Sequence, residues 1–195
     1  MLTIYGDSIS GNCHKVKFVC DRLGIPYRWI EMDILKAETR TPEFLAMNPA
    51  GQVPTVGFED GRSLAQSNAI MLYLAEGSDL IPEDAFDRAL MNQWLFWEQY
   101  SHETAIAVRR FHAHILKKPE SEIDPALMEK GKRALGVMEG HLATRRYFVG
   151  EKLTLADLAL VAYTRFAHEA GFDLTEFPHV NAWVERVEAD LNLTS

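Results

Sequence analysis

From Leu2 to Glu76 short strand-like runs alternate with helical patterns, and beyond Asp87 only helical periodicity remains. A chain with that switch has to build a mixed α/β portion first and an all-helical portion second. Leu2-Thr3-Ile4-Tyr5 reads as a strand, and Gly6 to Gly11 (GDSISG) as a polar turn. Asn12 to Leu23 then sets Val16, Val19, Cys20 and Leu23 on one helical face, with Gly24 as its stop. Tyr27 to Met32 is a second strand, rich in aromatic and β-branched residues. A strand-helix-strand unit this short favours a parallel pair.

Thr41-Pro42-Glu43 opens a short helix that Asn48-Pro49-Ala50-Gly51 ends. Strand Thr55 to Glu59, the turn Asp60-Gly61 and strand Ser63 to Ala65 make a hairpin, and a helix follows over Ser67 to Ala75. The spacing therefore predicts a βαβαββα domain over 1–76, a linker over 77–86 and an all-α domain over 87–195. Arg88 to Leu116, Pro125 to Ala143, Leu155 to Ala170 and Val180 to Leu191 supply the helical patterns of the last part.

Composition narrows the partners. Twenty basic residues against 28 acidic ones leave a net charge of −8, which disfavours nucleic acid or an anionic membrane as the main partner. No run approaches the roughly 18 apolar residues of a membrane span, and Met1-Leu2-Thr3-Ile4-Tyr5 lacks a basic leader. Cys13 and Cys20, seven residues apart on one helix, lie about 10 Å from each other, too far to bridge. A reducing cytoplasm is the simplest location.

Three segments can carry chemistry. Ser8-Ile9-Ser10-Gly11-Asn12-Cys13 sits at a strand-to-helix junction, where the dipole and free amides of a helix N-terminus stabilise a thiolate. Ser10 or Asn12 can equally be an ordinary N-cap there. In Gln52-Val53-Pro54-Thr55, a cis proline would turn the Val53 amide and carbonyl outward for a peptide-like ligand, although only about 5–6% of such bonds are cis. In Gln66-Ser67-Asn68, Ser67 can cap its helix or help hold a carboxylate.

The joint order of these segments resembles the cytosolic glutathione S-transferase family. Asn48-Pro49-Ala50-Gly51-Gln52-Val53-Pro54 and Gln66-Ser67-Asn68-Ala69-Ile70 carry the resemblance most specifically, with Phe148-Val149-Gly150 and Leu153-Thr154-Leu155-Ala156-Asp157 as a later match. The resemblance implies a thioredoxin-like domain that binds glutathione, a helical domain that covers the second substrate, a homodimer, and a detoxifying conjugation of the thiolate to a hydrophobic electrophile without a metal. It places Val53 against the cysteinyl unit before a cis Pro54, and Gln66 and Ser67 at the γ-glutamyl end. Gln52 falls where many members carry Lys, Gln66 where bacterial members often carry Glu, and Arg40 where a basic residue often meets the glycine carboxylate. Ser10 occupies the position of the thiol-activating hydroxyl in serine-type members, and Asn12 that of an assisting amide. Tyr5 is a poor rival because it lies inside the first strand.

Cys13 competes with Ser10, since some members form a mixed disulfide with glutathione in this turn. It stands three residues later, in the first helical turn and outside any Cys-x-x-Cys. The alternatives to conjugation are a glutathione-dependent thiol-disulfide reductase or peroxidase, and a non-catalytic regulator that keeps the fold. Other features read as structural. Thr154-x-x-Asp157 is a capping box, Arg109-Arg110 a solvated or cleft-facing pair, and His112 and His114 point too far apart on a helix to share a metal. On the aromatic stretch, Tyr100, His102, Ala105 and Arg109 are candidates to line a second-substrate pocket.

Overall fold

The computed structural model describes residues 1–193. The chain divides between Ser78 and Asp79 into two compact units. In the first, β1 (Leu2–Gly6), α1 (Gly11–Leu23), β2 (Tyr27–Glu31), α2 (Pro42–Met47), β3 (Thr55–Gly57), β4 (Ser63–Ala65) and α3 (Ser67–Leu74) follow one another. The sheet order is β2-β1-β3-β4, with β1 parallel to β2 and antiparallel to β3, and β3 antiparallel to β4. Leu2, Ile4, Val16, Cys20, Val56 and Ile70 form the buried cluster that holds α1 and α3 to the sheet.

Local signals act as their chemistry requires. Gly24 ends α1 in the left-handed region at φ 65°, its N–H reaching back to the last turn. Thr41 accepts the Phe44 N–H at 3.2 Å, with Pro42 in the first helical turn. Gly61, at φ 84°, turns the β3–β4 hairpin.

The register decides where a site can form. Tyr5 pairs with Thr55, and Thr55 pairs with Ala65 on its other side. The residues that follow β1, precede β3 and follow β4 therefore meet at one end of the sheet. Those are residues 7–10, 52–54 and 66–67, and both α1 and α3 begin there.

The second unit holds α4 (Ala85–Trp97), α5 (Glu103–Arg110), α6 (Pro125–Leu142), α7 (Leu155–Thr164) and α8 (Pro178–Asp190). Every residue of α7 is buried, as its nearly uninterrupted apolar sequence predicts. In α6 a Cβ on Gly131 would stand 2.1 Å from the Phe172 ring, so only glycine lets that ring pack there.

Several expectations fail in this unit, among them the helix over 155–170, which ends at Thr164 before a separate turn at Ala167–Ala170. The pattern over Arg88 to Leu116 is not one α-helix: it starts earlier, at Ala85, and passes through π-helical turns at Glu98–His102 and Phe111–Ile115. Nor are Arg109 and Arg110 solvated or facing a cleft. Arg109 is 3% exposed and donates from Nε to the Ala170 carbonyl (2.8 Å) and from Nη2 to both Glu120 oxygens. Arg110 pairs with Glu169 and lies over the Phe166 ring at 4.7 Å. The paired acceptors make burial of these cations tolerable. Their work is structural.

Candidate active site

Ser10 is the N-cap residue of α1, yet its hydroxyl makes no capping bond and turns instead to the Cys13 side chain. A thiol sulfur is a weak acceptor, so the hydroxyl can transfer to an anion. Each main-chain N–H before the helix is already committed: Asp7 to Cys13 Sγ (3.3 Å), Ser8 to Glu31 Oε1 (2.8 Å), Ile9 to Asp7 Oδ1 (3.0 Å) and Ser10 to the Asp7 carbonyl (3.0 Å). The Gly11 N–H donates to no described residue. At this junction the donors able to turn to an anion are thus a hydroxyl that rests on a weak sulfur acceptor and the first amide of a helix.

Cys13 itself is fully buried, and burial pushes its thiol up to about 12. It stays neutral across the physiological range, the opposite of what a nucleophilic cysteine needs. Burial also raises the Asp7 carboxyl, with Glu31 as a lesser cause, against the Ile9 N–H that lowers it.

Asn12 faces across to α3, where its Oδ1 accepts the Ser67 hydroxyl at 2.9 Å. That bond ties two helix N-termini together. Neither α1 nor α3 has an acidic side chain in its first turn, and neither N-cap residue supplies a side-chain capping bond. Two positive dipole ends therefore converge without the carboxylates that commonly occupy such places. Gln66, exposed and just before α3, sits at φ 70°, ψ 111°, a conformation non-glycine residues rarely adopt.

The third segment is shaped by Asn48, which the sequence places at the end of a helix and at the head of the segment carrying the family resemblance, with no role assigned to its side chain. Its Nδ2 donates to the Gln52 carbonyl (2.8 Å) and to Thr55 Oγ1 (3.1 Å), and its Oδ1 accepts the Ala50 N–H (3.1 Å). The Val53–Pro54 bond is cis, and neither ladder of β3 extends to Val53. Pro54 is buried, Val53 half-buried, and the Gln52 side chain exposed. Arg40 is exposed and donates from Nη1 to the Ala50 carbonyl at 3.1 Å. Gly51 lies at φ 61° against that guanidinium, where a Cβ would come within 2.5 Å of Nη1. Arg40 is thus spent, at least in part, on holding this loop.

Replacing Asn48 by Ala removes three side-chain hydrogen bonds, one of them to a buried partner. At about 1 kcal/mol each the loss is about 3 kcal/mol. In a chain of this size that lowers the melting temperature by about 6–12 °C, which thermal denaturation of the variant measures.

Glu31 and His14 are residues of this region that sequence reasoning missed, as it missed the role of the Asn48 side chain. For Glu31 a signal existed, because a parallel β1–β2 pair in register sets Glu31 opposite Gly6, at the start of the loop. His14 gave none.

A four-stranded mixed sheet with two helix N-termini at one end, followed by an all-α unit, is the two-unit class in which a thioredoxin-like domain precedes a helical one. The sequence pattern of the glutathione S-transferase N-terminal domain matches residues 9–76, and that of the C-terminal domain matches residues 96–190. The chain belongs to the glutathione S-transferase family, which uses glutathione. A glutathione S-transferase from Pseudomonas fluorescens has a crystal structure that superposes with a TM-score of 0.94 at 45% identity, covering 96% of this chain and 94% of that one. A structure of Ure2p in complex with glutathione gives 0.88 at 27% identity, covering 98% and 91%. Protein URE2 of Candida glabrata is 29% identical over 95% of this chain, which spans 64% of that protein's length.

Proposed function

We propose that the chain is a glutathione transferase that joins the sulfur of glutathione to a hydrophobic electrophile. The observation that carries this reading is the Ser67–Asn12 bond, which draws two helix N-termini without first-turn acids beside an uncapped Ser10 hydroxyl. In this reading Val53, two residues before β3, pairs through its backbone with the cysteinyl unit, and Pro54 holds that turn. Gln66 and Ser67, at the start of α3, take the γ-glutamyl carboxylate. Gln52 and Arg40 flank the glycine end. Ser10 donates to the sulfur, and Asn12 holds the geometry from α1.

A free thiol of this kind titrates near 8.5–9, so most of it is protonated at neutral pH. One charge-assisted hydrogen bond and a helix dipole both favour the anion. The thiol proton passes to solvent, the sulfur lone pair forms a C–S bond, and in a substitution the leaving group departs with its electron pair. The burial of Cys13 weighs against the disulfide-exchange alternative, because a neutral thiol is a poor nucleophile.

A homodimer and a cytoplasmic location complete the proposal. Phe96 and Tyr100, one helical turn apart, are 77% and 85% exposed, an apolar stripe that a second copy would cover. No helix among the described residues is long and apolar enough to cross a membrane. Calorimetric titration with glutathione tests the binding half of the proposal. Saturable one-site binding is expected, and absence of measurable binding would overturn it in favour of a partner-binding protein that only keeps the fold.

A further inference from the structure

Ser8 is exposed, as is Ile9 beside it, in the loop that presents Ser10, and no core packing holds it. Two side chains from different elements hold it instead, one at each end of its peptide unit. Its N–H donates to Glu31 Oε1 at 2.8 Å, and its carbonyl accepts from His14 Nε2 at 2.8 Å. A carbonyl can only accept, so His14 carries its proton on Nε2. Glu31 is itself aimed: its second oxygen accepts the Trp29 indole N–H at 2.6 Å, and Trp29 packs on Gly6, where a Cβ would come within 2.5 Å of the ring. His14 stands one turn into α1, with its ring 5.8 Å from that of Phe18.

We propose that Glu31 and His14 are positioning residues that clamp Ser8 from both ends and thereby fix where the Ser10 hydroxyl meets the sulfur of glutathione. The inference rests on the reading of Ser10 as the group that donates to that sulfur. Its physical basis is the commitment of the loop. With the N–H groups of Asp7, Ile9 and Ser10 satisfied inside the turn or by α1, the bonds at Ser8 to Glu31 and His14 tie its exposed crest to β2 and to the helix. A misplacement of about 1 Å at a reacting group costs up to about a hundredfold in rate. Although burial opposes it, hydrogen bonds from Ser8 and Trp29 hold the Glu31 carboxyl below its usual range, so the acceptor is ionised at neutral pH.

The test is a double-mutant cycle read as the titration of enzyme-bound glutathione, followed by ultraviolet absorbance of its thiolate, together with kcat and KM. Glu31→Ala is expected to raise the bound thiol's pKa by about one unit and to lower kcat about tenfold at neutral pH, with KM for glutathione changed less than about threefold. Glu31→Gln, which keeps an acceptor oxygen for Ser8, should restore most of that loss. In a Ser10→Ala background, Glu31→Ala should have no further effect on the bound thiol. If Glu31→Ala melts too low to assay, His14→Ala opens the same cycle from the other end of Ser8. The clamp is overturned if Ser10→Ala shifts the titration while neither clamp variant does, or if the two effects add in full. A titration that Ser10→Ala leaves in place overturns instead the reading of Ser10 on which the clamp depends.

Discussion

Exchanging Ser10 for Ala is expected to lower kcat/KM for conjugation about ten- to hundredfold at neutral pH while the protein stays folded. The magnitude follows from what is removed. A hydrogen bond to a charged acceptor contributes about 1.5–3 kcal/mol, equivalent to about one to two units in the pKa of the bound thiol. The thiolate fraction falls in proportion, and the loss shrinks as pH rises toward the pKa of free glutathione. A pH profile of kcat/KM therefore distinguishes the variant from a merely damaged protein: its limb shifts upward, and the rate recovers in alkali. Stability should change little, because the hydroxyl makes no capping bond. The residue left behind is the helix N-terminus, whose Gly11 amide keeps some anion stabilisation. Cys13→Ser is the matched control for the competing chemistry. If conjugation survives the loss of Ser10 and dies with the loss of Cys13, the assignment of the sulfur-activating group is wrong.

That the three segments meeting at one end of the sheet could be picked out in the sequence has a physical cause. All three are turns, and turns are specified by residues with narrow conformational roles. Pro42 after Thr41, Gly51 at positive φ, Pro54 before β3 and Gly61 in the hairpin each fix a backbone step that few other residues tolerate. The βαβ spacing then determines which strand ends coincide. The partners were not legible. The Asn12–Ser67 bond joins residues 55 positions apart, and Ser8–Glu31 joins residues 23 apart. Neither pairing leaves a periodic trace, and Glu31 is marked only indirectly, by the parallel register that sets it opposite Gly6.

The helical half shows the same division in reverse. The apolar run of α7 announced its central place, whereas the π-turns at Glu98–His102 and Phe111–Ile115 were invisible, since one inserted residue barely disturbs a 3.6-residue period. Around the first of them, Thr104 Oγ1 donates back to the Tyr100 carbonyl (2.8 Å), and His102 Nε2 meets Thr164 Oγ1 (2.9 Å). Of the residues expected on a pocket face, His102, Ala105 and Arg109 are buried within the unit while Tyr100 is exposed. They do not share one surface.

Replacing Asp157 by Ala is expected to prevent stable folding of the helical unit or to lower its melting point by more than about 10 °C. Sequence suggested a cap, and loss of a cap costs about 1–2 kcal/mol. The capping box is present, with Thr154 and Asp157 exchanging bonds. The same carboxylate also accepts the Phe148 N–H at 3.1 Å and the Trp183 indole N–H at 3.0 Å, so it joins the segment before α7 to α8. Truncation leaves the N–H groups of Phe148, Thr154 and Trp183 buried without their acceptor, at about 1–3 kcal/mol each. The total, at least about 3 kcal/mol, is a large part of the 5–15 kcal/mol by which domains are stable.

Burial, opposed by these donors, raises the Asp157 carboxyl from 3.8 to about 6. A carboxyl whose folded pKa lies above its unfolded value binds more protons when folded, so its contribution to stability falls as pH rises from about 4 to about 6 and is constant beyond. The carboxylate thus works against its own desolvation at neutral pH while serving donors that nothing else there satisfies. Asp157→Asn separates the two effects. It removes the charge and its pH dependence but sets an amide where Thr154 donates, so it should destabilise less than Ala and flatten the stability profile between pH 4 and 6. Thermal melts across that range decide the matter. A wild-type-like melting point for Asp157→Ala, or an unchanged pH slope for Asp157→Asn, would show that the buried network carries far less of the fold than its geometry requires.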